Sequence, residues 1–143
     1  MILGIECTAH TFGVGVVDKG KVLANVKDMY KPSKGGIIPL ESAQHHKDVS
    51  EIIYNEALEK AGISEKEVEA IAIANAPGLA PCLLAGMSFA KEKASKLNVP
   101  LIPVNHCIAH LEIGQSIGAS DPVLLYASGA NTQIISFVIK FLK

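Results

Sequence analysis

Hydrophobic positions along the chain switch from runs and alternation to helical spacing. Ile2-Leu3-Gly4-Ile5 reads as a buried strand ended by the polar turn Glu6-Cys7-Thr8-Ala9-His10. Strands over 12–17 and 22–26 follow, joined at Asp18-Lys19-Gly20-Lys21, a glycine-containing hairpin connection. A Lys-, Gly- and Pro-rich loop fills 28–40. From Glu41 to Ala61 the spacing is helical: Val49, Ile52, Ile53, Ala57 and Leu58 share one side, and Gly62 supplies the stop. His45 and His46 lie in the first turns, about 100° apart. They form a poor pair for one ion and read as surface or edge residues.

Ser64 to Glu69 makes a short helical turn. The small apolar run Ala70-Ile71-Ala72-Ile73-Ala74 suits a central strand covered on both faces. A tight loop, Asn75 to Pro81, leads to a helix over about 82–97, with Cys82 read as a small buried residue. A strand over 101–104 precedes a further helix. Strands over 123–127 and 132–141 close the chain around the polar turn Ser128-Gly129-Ala130-Asn131. Antiparallel strands first and strand–helix alternation afterwards predict an α/β lobe, its mixed sheet carrying helices on both faces. Leu3 to Thr11 and Leu125 to Gln133 echo each other as strand, turn, Thr, strand. A duplicated two-lobe protein shows such an echo where its second lobe begins.

With 143 residues, 49% apolar and 19% charged, and a formal net charge of -1, the chain is a globular domain without a basic sweep for gripping nucleic acid unaided. No apolar run approaches the ~20 residues of a membrane span. The start lacks a charged n-region, so no signal peptide is expected. Three widely spaced cysteines without a C-x-x-C pair fit a reducing cytoplasm.

The candidate chemistry lies in Asn105-His106-Cys107-Ile108-Ala109-His110-Leu111-Glu112. Asn105 is a good N-cap, so His106 should open a helix, and His110 returns to the same face one turn later. Two imidazoles so held can grip one Zn²⁺ or Fe ion, leaving further ligands to come from elsewhere. An H-x-x-x-H pair also arises on a helix by chance. The metalloprotease form of the motif puts Glu after the first His, where this chain has Cys107.

Four ordered motifs, Glu6 to His10, Ala76-Pro77-Gly78-Leu79-Ala80-Pro81, Asn105 to Glu112 and Tyr126 to Gln133, make the chain resemble the tRNA threonylcarbamoyladenosine transferase family. This is the KEOPS catalytic subunit of archaea and eukaryotes, formerly called O-sialoglycoprotein endopeptidase. The archaeal branch is most similar, over nearly the whole chain. The resemblance implies an actin-like, hsp70-like ATPase (ribonuclease H-like) fold of two lobes around a cleft. It implies transfer of a threonylcarbamoyl group from its adenylate to the adenosine beside the tRNA anticodon. It assigns a divalent metal, Fe or Zn, to His106 and His110, joined by Tyr126, and a nucleotide-lining role to Tyr126, Ala127, Ser128, Gly129 and Ala130. Backbone N–H groups of so small-sided a loop can approach phosphate closely. Without the resemblance the loop is an ordinary hairpin turn.

Several residues depart from the family pattern. Ala76 and Ala80 stand where the family has Gly, Ala130 replaces the second Gly of Ser-Gly-Gly-Asn-Thr, and Cys7 replaces Gly or Ser. Family members run roughly twice as long. The expected organisation is a lobe over 1–122 and, over 123–143, the first hairpin of a second lobe otherwise absent. That lobe supplies an Asp to the metal and holds ribose and adenine. The implied partners are a second-lobe chain or KEOPS-type subunits, tRNA through a complex only, and threonylcarbamoyl-adenylate or ATP, with no membrane. The competing readings are a non-catalytic paralogue that docks partners through its helices, and an independent metalloprotein.

Overall fold

The computed structural model describes residues 1–128 and 132–137. Its centre is a five-stranded sheet: β1 (Ile2–Glu6), β2 (Thr11–Asp18), β3 (Lys21–Met29), β4 (Ala70–Ala76) and β5 (Leu101–Asn105). The strand order is β3-β2-β1-β4-β5. β1, β2 and β3 pair antiparallel, whereas β4 lies parallel to both β1 and β5. The mixed sheet with three antiparallel strands first is as the hydrophobic pattern predicts. β3 runs on to Met29, and the Tyr30 N–H donates to the His10 carbonyl at 2.8 Å, so the hairpin takes up the start of the expected loop.

One sheet face is dry. Leu3, Ile5, Val14, Val16, Ile71 and Ile73 alternate onto it and are all 3% exposed or less. Helices α1 (Pro39–Ala61) and α2 (Ala80–Leu97) pack on each other over this face, α1 against β2 and β3 and α2 against β4. Gly62, at φ 69°, ends α1 as predicted.

The buried stripe of α1 keeps Ile53, Ala57 and Leu58 from the expected side and loses Ile52. Ser42, Ala43, His46, Ser50, Ile53, Tyr54, Ala57 and Leu58 face inward, while Ile52 is 64% exposed. His46 is therefore a core residue at 1% exposure, not a surface one. Its ring packs 5.6 Å from that of Phe12. Serines hide this face in the sequence: Ser42 Oγ donates to the Ala9 carbonyl at 2.7 Å, so a polar residue is buried without an orphaned hydroxyl.

The opposite face is built of small residues. Gly4 pairs with Gly15 and with Ala72, Glu6 with Gly13, and Ala74 with Val104. They floor a shallow apolar depression of about 320 Å³, bordered by Glu6 and Ala109. Ala109 belongs to α3 (His106–Ser116), which thus flanks this second face. β6 (Val123–Ala127) and β7 (Thr132–Ser136) form a separate two-stranded antiparallel sheet. Among the described residues no helix is long and apolar enough to cross a membrane.

Candidate functional site

α3 starts where its sequence says it should. The Asn105 side chain accepts the backbone N–H of Cys107 at 2.9 Å and of Ile108 at 3.3 Å. Two of the helix's orphaned donors are thereby satisfied. Cys107 and Leu111, four residues apart, anchor the helix in the interior. His106 and His110 occupy the neighbouring row, one turn apart, with ring centroids separated by 4.5 Å and planes near perpendicular. The His106 side chain is 14% exposed, and His110 lies on the open side of the helix.

The two Nε2 atoms are 3.1 Å apart. Two ligands bonded at ~2.0–2.1 Å to one tetrahedral ion lie about 3.3 Å apart. The observed pair needs almost no rearrangement to reach that spacing. Although His110 is exposed overall, partial desolvation of its ring and then the adjacent His106 hold the imidazole below its ordinary pKa, favouring the neutral form that binds metals. The donor set and its spacing fit a divalent ion. Two donors do not complete a shell of four, and among the described residues no group of three or more His, Cys, Asp or Glu side chains is placed to hold one.

Tyr126 joins the pair from β6, its ring centroid 5.8 Å from that of His106 and 6.0 Å from that of His110. Ala127 ends β6 and Ser128 follows it, both exposed. Gly129 and Ala130 lie outside the described residues.

Glu6 is a side chain of this site that the linear pattern does not disclose. It ends β1, and its Oε2 lies 2.9 Å from His106 Nδ1. The other oxygen, Oε1, accepts the Thr8 backbone N–H at 2.7 Å and the Thr8 hydroxyl at 2.5 Å. Burial alone would raise the Glu6 carboxyl, but the hydrogen bonds from His106 and Thr8 outweigh it and hold the pKa below the ordinary carboxylate value. The signal was the strand's polar last residue. Its partner, 100 positions away, becomes visible only once β1, β4 and β5 are set side by side.

The loop before α2 locks onto the same turn. Leu79 N–H donates to the Thr8 carbonyl at 2.7 Å. A Cβ on Gly78 would stand 2.5 Å from that carbonyl oxygen, so glycine is required there by close approach. Ala76 and Ala80 carry no such strain, since Lys19 and Asn98 are the non-glycine residues found at positive φ among those described.

A profile of the tRNA N6-adenosine threonylcarbamoyltransferase family matches residues 21–143. The protein of that name from Thermofilum pendens is 51% identical over 138 residues, covering 95% of this chain and 41% of the relative. Its counterpart from Thermococcus gammatolerans is 48% identical over 134 residues, covering 94% and 41%. A Thermoplasma volcanium protein named as a probable bifunctional tRNA threonylcarbamoyladenosine biosynthesis protein is 46% identical over 138 residues, or 95% of this chain and 26% of that protein. The chain thus spans about two fifths of the length of the first two relatives. Among solved structures, YeaZ from Pseudomonas aeruginosa superposes with a TM-score of 0.67 at 16% identity, covering 98% of this chain and 62% of that one. That likeness bears on the fold alone, and the fold is the actin-like, ribonuclease H-like mixed α/β lobe.

Proposed function

The chain belongs to the tRNA N6-adenosine threonylcarbamoyltransferase family, and from that premise we propose that it is the first lobe of a metal-dependent transferase. In this reading the complete site moves a threonylcarbamoyl group from its adenylate to the tRNA adenosine beside the anticodon. The observation that carries it is the approach of His106 Nε2 to His110 Nε2 at 3.1 Å on a helix start pinned by Asn105.

His106 and His110 would hold the ion, Fe or Zn, with Tyr126 closing one side. A bound ion would supply Lewis acidity toward the acyl phosphate and toward charge gathering on its oxygens. The chain's own residues do the rest of the work assigned to this lobe. Asn105 caps the helix that carries both imidazoles, and the segment from Ala127 through Ser128, Gly129 and Ala130 would offer backbone to the nucleotide. In this reading residues 1–122 are the lobe, and β6 and β7 would open its counterpart. Such chemistry needs a water-excluding, preorganised cleft, and His110 stands open to solvent. A second-lobe chain or KEOPS-type subunits would therefore complete the site and bring in tRNA. The setting of this work is the cytoplasm.

The test is tRNA modification by the chain with and without a supplied second-lobe chain, alongside metal analysis. Stoichiometric Fe or Zn lost in His106→Ala and His110→Ala, with activity only when the second lobe is present, is the expected result. A metal-free chain that no second lobe rescues would overturn the reading.

A second reading, a non-catalytic scaffold, draws on the outer surface of the α1–α2 pair. Leu40 and Leu84 there are 74% and 71% exposed and border a groove that also takes in Gln44, Lys47 and Pro81. Association through these helices without metal uptake would favour it.

A further inference from the structure

We propose that Glu6 is a positioning residue for His106: its carboxylate, itself clamped by Thr8, fixes the imidazole with the proton on Nδ1 and with Nε2 bare and turned toward His110. The inference deepens the metal-site reading above and rests on it for its purpose, but its geometry stands independently.

A carboxylate only accepts hydrogen bonds. With Glu6 Oε2 at 2.9 Å, His106 Nδ1 must carry the proton. In the neutral ring Nε2 then keeps its lone pair, and Nε2 is the atom that faces His110 at 3.1 Å. Two bare nitrogens at that separation would repel, so in the metal-free protein His110 donates its Nε2–H to His106. To hold an ion through Nε2, His110 would have to shift its proton to Nδ1. His106 needs no change, because Glu6 has already set it. The carboxylate–histidine–metal arrangement fixes the ring's orientation and raises its basicity.

The carboxylate is also held against drifting. Both Thr8 donors engage Oε1, leaving Oε2 for the imidazole. Thr8 is in turn tied through its carbonyl to Leu79 N–H. Glu6 thereby reaches α3 from the end of the central strand, a stiffer support than any loop.

The alternative is an ion pair that merely bolts α3 to the sheet. The experiment separates the two by combining long-range ¹⁵N–¹H NMR of the His106 ring in the metal-free chain, at about pH 8 where an ordinary imidazole is neutral, with Zn²⁺ titration against a chromogenic chelator. The set compares the unaltered chain with Glu6→Gln, Glu6→Ala and Thr8→Val. We expect the Nδ1–H tautomer in the unaltered chain and loss of that preference in Glu6→Gln, whose amide can turn its N–H₂ toward the ring. Zn²⁺ affinity should fall roughly 10–100-fold in Glu6→Gln and Glu6→Ala, and less in Thr8→Val, with circular dichroism unchanged. Glu6→Gln keeps the side chain's size, so it remains informative where Glu6→Ala fails to fold. An unchanged His106 tautomer together with unchanged Zn²⁺ affinity in Glu6→Gln would overturn the proposal. If the unaltered chain takes up no Zn²⁺, the metal-site reading falls, and the tautomer measurement still decides the role of Glu6.

Discussion

Gly86 makes room for Cys7: a Cβ built at position 86 would lie 2.1 Å from Cys7 Sγ and 2.6 Å from Cys7 Cβ. α2 therefore packs closely on Cys7, just past the end of β1, and both residues sit in the interior. Gly86→Ala should cost about 1–3 kcal/mol by overpacking, read from urea denaturation. Because the obstruction is the Cys7 side chain, adding Cys7→Gly should return part of the loss. Strict additivity of the two changes would show that they do not touch, and would refute the packing.

The same burial governs the Cys7 thiol. Desolvation, with the charges of Glu6 and Cys82 adding to it, pushes its pKa up to about 12. Thiolate is the reactive form, so Cys7 should resist alkylation at pH 8 in the folded chain and label rapidly once it is unfolded in urea. Mass spectrometry of the digested, pulse-labelled protein measures this directly. Fast labelling of Cys7 in the native state would contradict the buried placement.

Asn105→Ala removes the acceptor for the Cys107 and Ile108 N–H groups. The expected cost is about 1 kcal/mol. The local consequence matters more, since His106 is the first residue of the helix and takes its direction from the cap. Zn²⁺ affinity should drop in Asn105→Ala while His45→Ala, in α1 and outside the metal pair, leaves it unchanged. Equal affinity in Asn105→Ala would mean that the cap does not set the ring.

What was legible in the sequence was local. Asn105 followed by His106 and His110 could be read as capped helix and shared face because every partner lies within four residues. The order of strands and helices followed from the same short-range periodicities. Glu6 could not be assigned its partner in that way, as its bond to His106 exists only through the sheet order β1-β4-β5. The α1 stripe was legible only in part, for a different reason: Ile53, Ala57 and Leu58 face inward as their spacing indicates. Apolar spacing pointed to Ile52, but the helix instead turns Ser42, His46 and Ser50 to the sheet, and no hydrophobicity pattern marks a buried histidine. Tyr126 came from family resemblance alone, and its ring does stand beside both imidazoles.

That buried histidine makes stability depend on pH. Burial pushes the His46 imidazole below its ordinary pKa, with His45 acting in the same direction, while the Cys7 and Ala9 main chain and the Glu6 carboxylate pull more weakly the other way. Neither ring nitrogen has a hydrogen-bond partner of good geometry. A group whose pKa is lower folded than unfolded binds its proton first in the unfolded chain. Its stabilising effect is thus complete above the unfolded value, near 6.5, and is lost as pH falls from there toward the folded value. Urea midpoints should accordingly decline between about pH 7.5 and pH 5.5, at no more than about 1.4 kcal/mol per pH unit for one group. The window is separable from the carboxylates, because Glu6, Glu65, Glu67 and Glu69 are all shifted downward and act below the ordinary carboxylate range. His110, also shifted downward, contributes in the same window. His46→Gln should therefore reduce the decline without abolishing it, and His46→Gln combined with His110→Gln should reduce it further. A His46→Gln protein that loses stability with acid as steeply as the unaltered chain would show that His46 is charged, or solvated, in the folded state.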